Sequence, residues 1–215
     1  MKKTHVARGR TSPRTREQRE PLRQRVMEAA LASFMDSGFA GTSTLDIASR
    51  ANISKRDLYL VAASKSELLR QAIGERVGRL RPPLELRLAS SRETFAATLD
   101  AFGLTILNGV CNRDVLALHR FAAVEAETAP EIARMIDALG RDAPRAALSR
   151  ALARAQAEGF IGAGDPAVQA GDFLALLWGD LLLRLIMRLA DPPPQVTLER
   201  RAREASQKLL MLYRM

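Results

Sequence analysis

Two basic side chains, Lys55 and Arg56, follow Ser54 at the start of a predicted short helix, where side chains can reach the edges of base pairs. An arginine can grip the O6 and N7 atoms of guanine with two hydrogen bonds, which discriminates against other bases by about 1–3 kcal/mol. Ser43 opens another predicted short helix earlier in the chain. Backbone N–H groups at helix starts bind phosphate oxygens well. These residue types therefore favour nucleic acid as a partner.

Residues that could support catalysis or metal binding are sparse. The chain has two histidines and one cysteine, Cys111, so neither a histidine cluster nor a cysteine-based zinc site can form, nor can a disulfide form within the chain. No glycine-rich phosphate loop follows a strand pattern, and His119 has no evident partner for nucleophilic catalysis. We expect the protein not to be an enzyme and to bind no cofactor or metal.

Positive charge is concentrated at the N-terminus. The formal net charge is +9, and residues 1–25 contain nine basic and two acidic side chains. A basic arm beside a folded domain suits a polyanion, either nucleic acid or an anionic membrane surface, whereas a solvated and disordered terminus is the alternative. No apolar segment follows the arm, so it is not a signal peptide. The single cysteine fits a reducing cytosol, and we expect a cytoplasmic protein.

The most apolar run, residues 173–190, contains Asp180, Arg184 and Arg188. Because charges are expensive at the centre of a bilayer, we predict a buried helix and no membrane partner. The three charged residues are spaced to share one helix face. They form either a local ion pair or a pairing across a dimer interface.

Helical spacing of apolar residues recurs along the chain and strand patterns are nearly absent, so we predict an all-α fold of about nine helices. Pro21 is expected in the first turn of the first helix, and Gly38 is expected to end that helix with a positive φ. Serines followed three residues later by an acidic residue predict the next three helix starts, at Ser43–Asp46, Ser54–Asp57 and Ser64–Glu67. Pro82 and Pro83 end the last of these helices.

Residues 51–53 separate the second and third helices, and this short turn is typical of a helix-turn-helix whose second helix enters the major groove. Asn52 in the turn tolerates a positive φ. The packed inner face is predicted to comprise Ile47, Ala48, Ala51, Ile53 and Leu58.

Longer helices follow residue 83, beginning with an apolar stripe that runs from Phe95 through Leu99, Phe102 and Ile106 to Val110. For each aromatic residue of this region, ordinary core packing is the alternative to a ligand contact, and His119 could equally be a satisfied core or surface histidine. Six side chains could line an apolar ligand cavity: Phe95, Phe102, His119, Phe121, Met135 and Trp178.

At residues 38–69 the segment "GFAGTSTLDIASRANISKRDLYLVAASKSELL" resembles the DNA-binding segment of tetracycline-repressor-type (TetR-family) transcriptional regulators, and the preceding "RVMEAALASFMDSGF" fits as well. The resemblance implies a homodimer that places two recognition helices in successive major grooves of a near-palindromic operator. It also implies dimerisation through the last two helices, and a small molecule in the C-terminal bundle that moves the fourth helix. The DNA-contacting residues implied by position are Thr42, Ser43, Thr44, Ser54, Lys55, Arg56, Tyr59 and Lys65.

Three positions depart from the family pattern, of which Asn52, where Gly is usual, is a mild change because Asn accepts that conformation. Val61 stands where a Tyr or His is usual and cannot donate to a phosphate, and Ala62 stands where Phe is usual. In a fixed structure, replacing a buried Phe by Ala costs about 3–5 kcal/mol, so Phe34, Met35 or Leu68 could refill the space. The basic arm could supply the phosphate interaction that the Val61 side chain is unable to make.

We therefore expect a sequence-specific DNA-binding regulator, acting as a ligand-responsive repressor with a largely apolar effector. The alternative is a helical homodimeric sensor or adaptor that has lost specific DNA reading. The expected domains are a flexible basic arm over residues 1–20, a helix-turn-helix head with its connecting fourth helix over residues 21–81, and a ligand-binding and dimerisation domain over residues 82–215.

Overall fold

The computed structural model describes residues 16–80, 86 and 89–214, and every regular element among these residues is helical. The predicted all-α fold is confirmed. A π-helical segment, Ala138–Asp142, connects the helices Pro130–Asp137 and Ala143–Ala157. The described α-helices are α1 (Arg16–Gly41), α2 (Thr44–Arg50), α3 (Lys55–Val61), α4 (Lys65–Leu80), α5 (Arg92–Val110), α6 (Arg113–Val124), α7 (Pro130–Asp137), α8 (Ala143–Ala157), α9 (Pro166–Trp178), α10 (Leu181–Ile186) and α11 (Gln195–Leu212).

Helix α1 begins earlier than predicted. It starts at Arg16, so Pro21 lies inside the helix and not in its first turn. Residues 1–15, which make up most of the predicted arm, lie outside the described residues. Gly38 has φ 74° and ψ 170°, which confirms the predicted positive φ and interrupts the helical conformation near the end of α1.

The chain divides into two compact units, which we describe separately. The first comprises the described residues of Met1–Ser37 together with Gly41–Ala72, and the second comprises Gly38–Ala40 with the described residues of Ile73–Met215. Helix α4 contributes to both units. The domain boundaries expected after residues 20 and 81 remain a proposal.

The first unit is held together by apolar side chains from α1 to α4. Met27 and Phe34 of α1 are buried, as are Leu68 and Leu69 of α4. Four of the five side chains predicted for the inner face of the helix-turn-helix are buried, namely Ile47, Ala48, Ala51 and Leu58. The fifth, Ile53, is only half-buried because it lies in the turn between the helices.

The core of the second unit is built around α5, α9 and α11. The predicted stripe on α5 is buried at Phe95, Leu99, Phe102 and Ile106, whereas Val110 at its end is half-buried. Gly103 allows close packing, since an added Cβ would lie 3.2 Å from both the Leu177 and Phe173 side chains. The most apolar helix of the chain is buried at Phe173, Leu174 and Leu177.

The predicted single helix ending near residue 190 is wrong, because the helix breaks at Gly179, with φ 48° and ψ −125°. The Arg201 guanidinium donates to the carbonyl oxygens of Leu177 and Trp178, at 2.6 Å each, and so satisfies the end of α9. Arg188 has φ 58° and lies beyond α10, so it does not share a helix face with Asp180. The local pairing of Arg184 with Asp180 is confirmed at 3.7 Å.

Candidate nucleic-acid interface

The start of α2 is fixed by reciprocal hydrogen bonds between Ser43 and Asp46. The Ser43 hydroxyl accepts from the Asp46 backbone N–H at 3.1 Å, and the Asp46 carboxylate accepts from the Ser43 N–H at 2.9 Å. The predicted cap is confirmed. Hydrogen bonds from the Ser43 hydroxyl and backbone N–H lower the pKa of Asp46 below its ordinary value.

The start of α3 follows the same plan after a turn through Asn52, whose φ of 51° confirms the predicted conformation. The Ser54 hydroxyl accepts from the Asp57 N–H at 3.1 Å and donates to the Asp57 carboxylate at 2.8 Å. The Ser43 hydroxyl likewise donates to Asp46, at 2.6 Å. Both serine hydroxyls would therefore have to rotate before they could donate to a phosphate.

The exposed face of α3 carries the side chains predicted to read bases. Lys55 and Arg56 are exposed at the helix start, and Tyr59 is exposed one turn later. The Lys55 ammonium lies 5.9 Å from the centre of the Tyr59 ring, within the range of a cation–π interaction. The structure thus brings three of the predicted contact residues together on one surface.

Thr42 and Lys65 occupy less accessible positions. Thr42 is 3% exposed and its hydroxyl donates to the Ser33 carbonyl oxygen at 3.0 Å. The half-buried Lys65 donates from Nζ to the Thr42 carbonyl oxygen at 3.0 Å. These bonds tie the segment before α2 to α1 and α4. The half-buried Thr44 completes the predicted set, whose contacts with DNA remain a prediction.

The two unusual positions lie at the end of α3. Val61 is its last residue, and Ala62 follows with an extended backbone at φ −149° and ψ 141°. Ala62 is buried, and Phe34 and Leu68 are fully buried in the same unit. Met35 is 38% exposed, and the identity of the side chain that fills the space beside Ala62 stays a prediction.

The side chains predicted to line a ligand cavity are dispersed over the second unit. Phe95 borders a pocket of about 310 Å³ between α5 and α8, together with Thr98, Arg154, Glu158 and Phe160. Phe102 instead packs on Phe173, with ring centres 6.2 Å apart. The remaining four do not border this pocket: Phe121 is buried, and His119, Met135 and Trp178 are half-buried.

His119 is nonetheless in an unusual environment. Burial lowers the pKa of its imidazole, and the charge of Asp137 opposes this effect only in part. The Cys111 thiol has its pKa raised by burial, against the opposing influence of Arg201. A raised thiol pKa disfavours the reactive thiolate.

The sequence did not indicate the role of Glu125, which is 7% exposed just after α6. Its carboxylate accepts from the Phe39 backbone N–H at 2.9 Å and from the Thr128 hydroxyl at 3.0 Å. A Cβ at Gly38 would lie 2.8 Å from the same carboxylate. The glycine was the one available signal, but it predicts a backbone conformation and not a partner.

A second interaction that sequence reasoning missed joins α4 to α6 within the second unit. The Arg76 guanidinium pairs with the Asp114 carboxylate in the first turn of α6. Together with Glu125, this pair engages both ends of α6.

Among the described residues, no group of three histidine, cysteine, aspartate or glutamate side chains is placed to hold a metal ion. Within the same part of the chain, no single helix is long and apolar enough to cross a membrane. Helices α5 and α6 meet these requirements of length and composition only as a pair, which is bent by 63°.

Comparison with known families assigns both parts of the chain. Residues 26–72 match the family model of the bacterial regulatory proteins of the tetR family. Residues 97–215 match that of the C-terminal domain of AefR-like transcriptional repressors. The chain belongs to the TetR family. The resemblance noted in residues 38–69 is thereby confirmed, and the fold is that of a TetR-family transcriptional regulator.

Solved TetR-type structures share this fold over most of their length. The flavonoid-responsive regulator FrrA is 27% identical, with a TM-score of 0.77 over 90% of this chain and 96% of its own. A TetR-family regulator from Pseudomonas syringae pv. tomato str. DC3000 is 26% identical, with a TM-score of 0.67 over 89% of this chain and 96% of its own. A putative TetR-family regulator from Mesorhizobium loti MAFF303099 is 20% identical, with a TM-score of 0.75 over 94% of this chain and 100% of its own. No curated protein matches the sequence.

Proposed function

We propose that this TetR-family protein is a ligand-responsive transcriptional repressor of the cytoplasm that binds a near-palindromic operator as a homodimer. The observation that carries the proposal is the exposed face of α3, where Lys55, Arg56 and Tyr59 lie together on a capped helix. Arg56 would read guanine, while Ser43, Thr44, Ser54, Lys65 and the backbone at the buried Thr42 would contribute to phosphate contacts.

Dimerisation is supported by apolar side chains exposed on α10 and the turn after it. Leu183, Met187 and Leu189 are all exposed within seven consecutive residues. Burying apolar area stabilises an assembly by about 25 cal/mol per Å², and a twofold axis would use the same surface on both subunits. We call these three side chains the α10 patch.

A route for the ligand response is supported by the contacts of α6. Arg76 on α4 pairs with Asp114 at the start of α6, and Glu125 after its end accepts from Phe39. A molecule that displaces α6 would therefore shift α4, which also carries Lys65. The effector is expected to be small and largely apolar, and FrrA, which shares the fold, is described as flavonoid-responsive.

Selection of bound duplexes from random sequence tests the proposal, followed by titration of the selected duplex at several salt concentrations. We expect tight binding that prefers one near-palindromic sequence, with an affinity that falls steeply as salt rises. Weak binding that is equal for every duplex would instead identify the alternative, a homodimeric sensor or adaptor that has lost specific DNA reading.

A further inference from the structure

Leu60 is a large apolar side chain held in water on α3, where it is 78% exposed. Leu58, on the same helix, is fully buried and marks the side that faces the core of the first unit. At about 100° per residue, Arg56 and Leu60 each lie about 160° around the helix from Leu58. These two side chains therefore flank the line of α3 that points farthest from the core.

Arg56 and Leu60 are also neighbours, because residues four apart on a helix lie side by side. Lys55 and Tyr59 form the adjacent pair on the same exposed face, with the ammonium over the ring. Leu60 thus belongs to a surface with two cations and one phenol hydroxyl. This charge favours a polyanion over an apolar protein partner as the molecule that covers Leu60.

A leucine is selective in the major groove. Three of the four bases present only hydrogen-bond donors and acceptors there, whereas thymine also presents a methyl group. A leucine against donors and acceptors would leave them without partners, which is unfavourable. Against a thymine methyl, it removes apolar surface from water.

We propose that Leu60 reads the methyl group of a thymine next to the guanine that Arg56 contacts, so that each operator half-site is specified by both side chains. The inference rests on the DNA-reading function proposed above. Leu60 would thereby specify one more base pair of each half-site, in addition to those specified by the basic and polar residues of α3.

The test replaces each thymine of the selected duplex, one at a time, by deoxyuridine, which pairs identically but lacks the methyl group. One position in each half-site is expected to lower the affinity of the unaltered protein by about fourfold, the effect of roughly one buried methyl group. Leu60→Ala should bind the thymine and uracil duplexes equally at that position. Because Leu60 is exposed and alanine favours helices, this variant is expected to fold normally.

Leu45→Ala is the matched control, since Leu45 is an exposed leucine on α2. It should keep the full fourfold sensitivity. If the unaltered protein prefers a sequence but tolerates deoxyuridine everywhere, or if Leu60→Ala keeps the sensitivity, the assignment of Leu60 is overturned and the DNA-reading function stands. If no duplex is preferred, both proposals fall.

Discussion

At the scale of single residues, the two cations on the exposed face of α3, Lys55 and Arg56, have different surroundings. The Lys55 ammonium lies over the Tyr59 ring, a contact worth about 0.5–1 kcal/mol at an exposed site. Arg56 is exposed near the outermost line of the helix. We infer that Arg56 supplies base discrimination, while Lys55 supplies charge and orders Tyr59.

The first prediction concerns Arg56. Arg56→Ala should reduce the ratio of operator to non-operator affinity by about 10- to 100-fold, because alanine cannot form the bidentate hydrogen bonds to guanine. Arg56→Lys keeps the positive charge but lacks the planar guanidinium that forms two hydrogen bonds to guanine. Its ratio of operator to non-operator affinity should therefore fall by nearly as much as that of Arg56→Ala. Competition binding with the selected and a scrambled duplex measures it. An unchanged ratio in both variants would assign base reading to other residues.

His119 makes stability depend on pH. Its pKa in the folded protein is lowered from the ordinary 6.5 by burial, so the unfolded chain binds the proton more readily. The folded state should therefore lose stability as pH falls below about 6.5, until the folded-state pKa is passed. Thermal unfolding of the wild type and His119→Gln from pH 8 to pH 5 measures this contribution. The difference in Tm between the two proteins should change with pH, and a constant difference would contradict the assignment.

At the scale of elements, tertiary contacts complete helix ends that local sequence leaves open. Arg201 donates to the last carbonyl groups of α9, and Arg120 donates to the Leu185 and Ile186 carbonyl oxygens at the end of α10. A cation at a helix C-terminus also interacts favourably with the helix dipole. These two arginines therefore stabilise the ends of α9 and α10, the two helices on either side of the break at Gly179.

The loop before α9 is also held by a contact with a distant part of the chain. The third prediction concerns Gly162 in this loop. The Gly162 N–H donates to the Tyr213 carbonyl oxygen at 2.8 Å, and an added Cβ would clash with the Arg214 carbonyl oxygen. Gly162→Ala should destabilise the protein by about 1–3 kcal/mol, because backbone must move. A drop of several degrees in Tm is expected in thermal unfolding.

Gly109→Ala is the control for this prediction. Gly109 lies in α5, and no atom would lie within 4 Å of an added Cβ. Alanine is preferred over glycine inside a helix by about 1 kcal/mol, so this variant should be neutral or slightly more stable. Equal Tm values for the two variants would show that the Gly162 loop yields without cost.

At the scale of the whole molecule, two features suit interactions with other molecules: the positive charge of the N-terminus and the exposed α10 patch. Residues 1–15 carry five lysines and arginines. The patch of Leu183, Met187 and Leu189 is exposed in the isolated chain. Both features make sense if the molecule binds DNA as a pair of subunits.

The fourth prediction tests the basic arm. Deletion of residues 1–15 should weaken binding to the selected and scrambled duplexes by the same factor, because phosphate contacts carry no base information. Each phosphate contact that the deletion removes should lower the slope of log affinity against log salt by about 0.9. Titrations between low and physiological salt measure the slope. An unchanged slope would show that the arm does not compensate for Val61.

The fifth prediction tests dimerisation through the α10 patch. The double substitution Leu183→Glu, Met187→Glu should give a monomer, because four like charges would meet across a twofold interface. Sedimentation velocity reads the assembly state, and operator affinity should fall with it. Val124→Glu changes an apolar residue at the end of α6 that is even more exposed, and it should leave the assembly unchanged. A double variant that remains a dimer would place the interface elsewhere.

The amino-acid sequence by itself determined the helix starts at Ser43 and Ser54, the positive φ of Asn52 and the buried face of the helix-turn-helix. Each depends on residues within one or two helical turns, so the interactions are local and their spacing is visible. The grouping of Lys55, Arg56 and Tyr59 on one face was predictable for the same reason.

Only the tertiary structure decided the break at Gly179, the extension of α1 ahead of Pro21 and the burial of Thr42. It also decided the partner of Glu125, since the hydrogen bond to the Phe39 N–H spans 86 residues. Arg201 reaches the end of α9 across 23 or 24 residues in the same way. A carboxylate or guanidinium has the same local pattern whether it faces water or a distant backbone group, and only the folded chain selects between them.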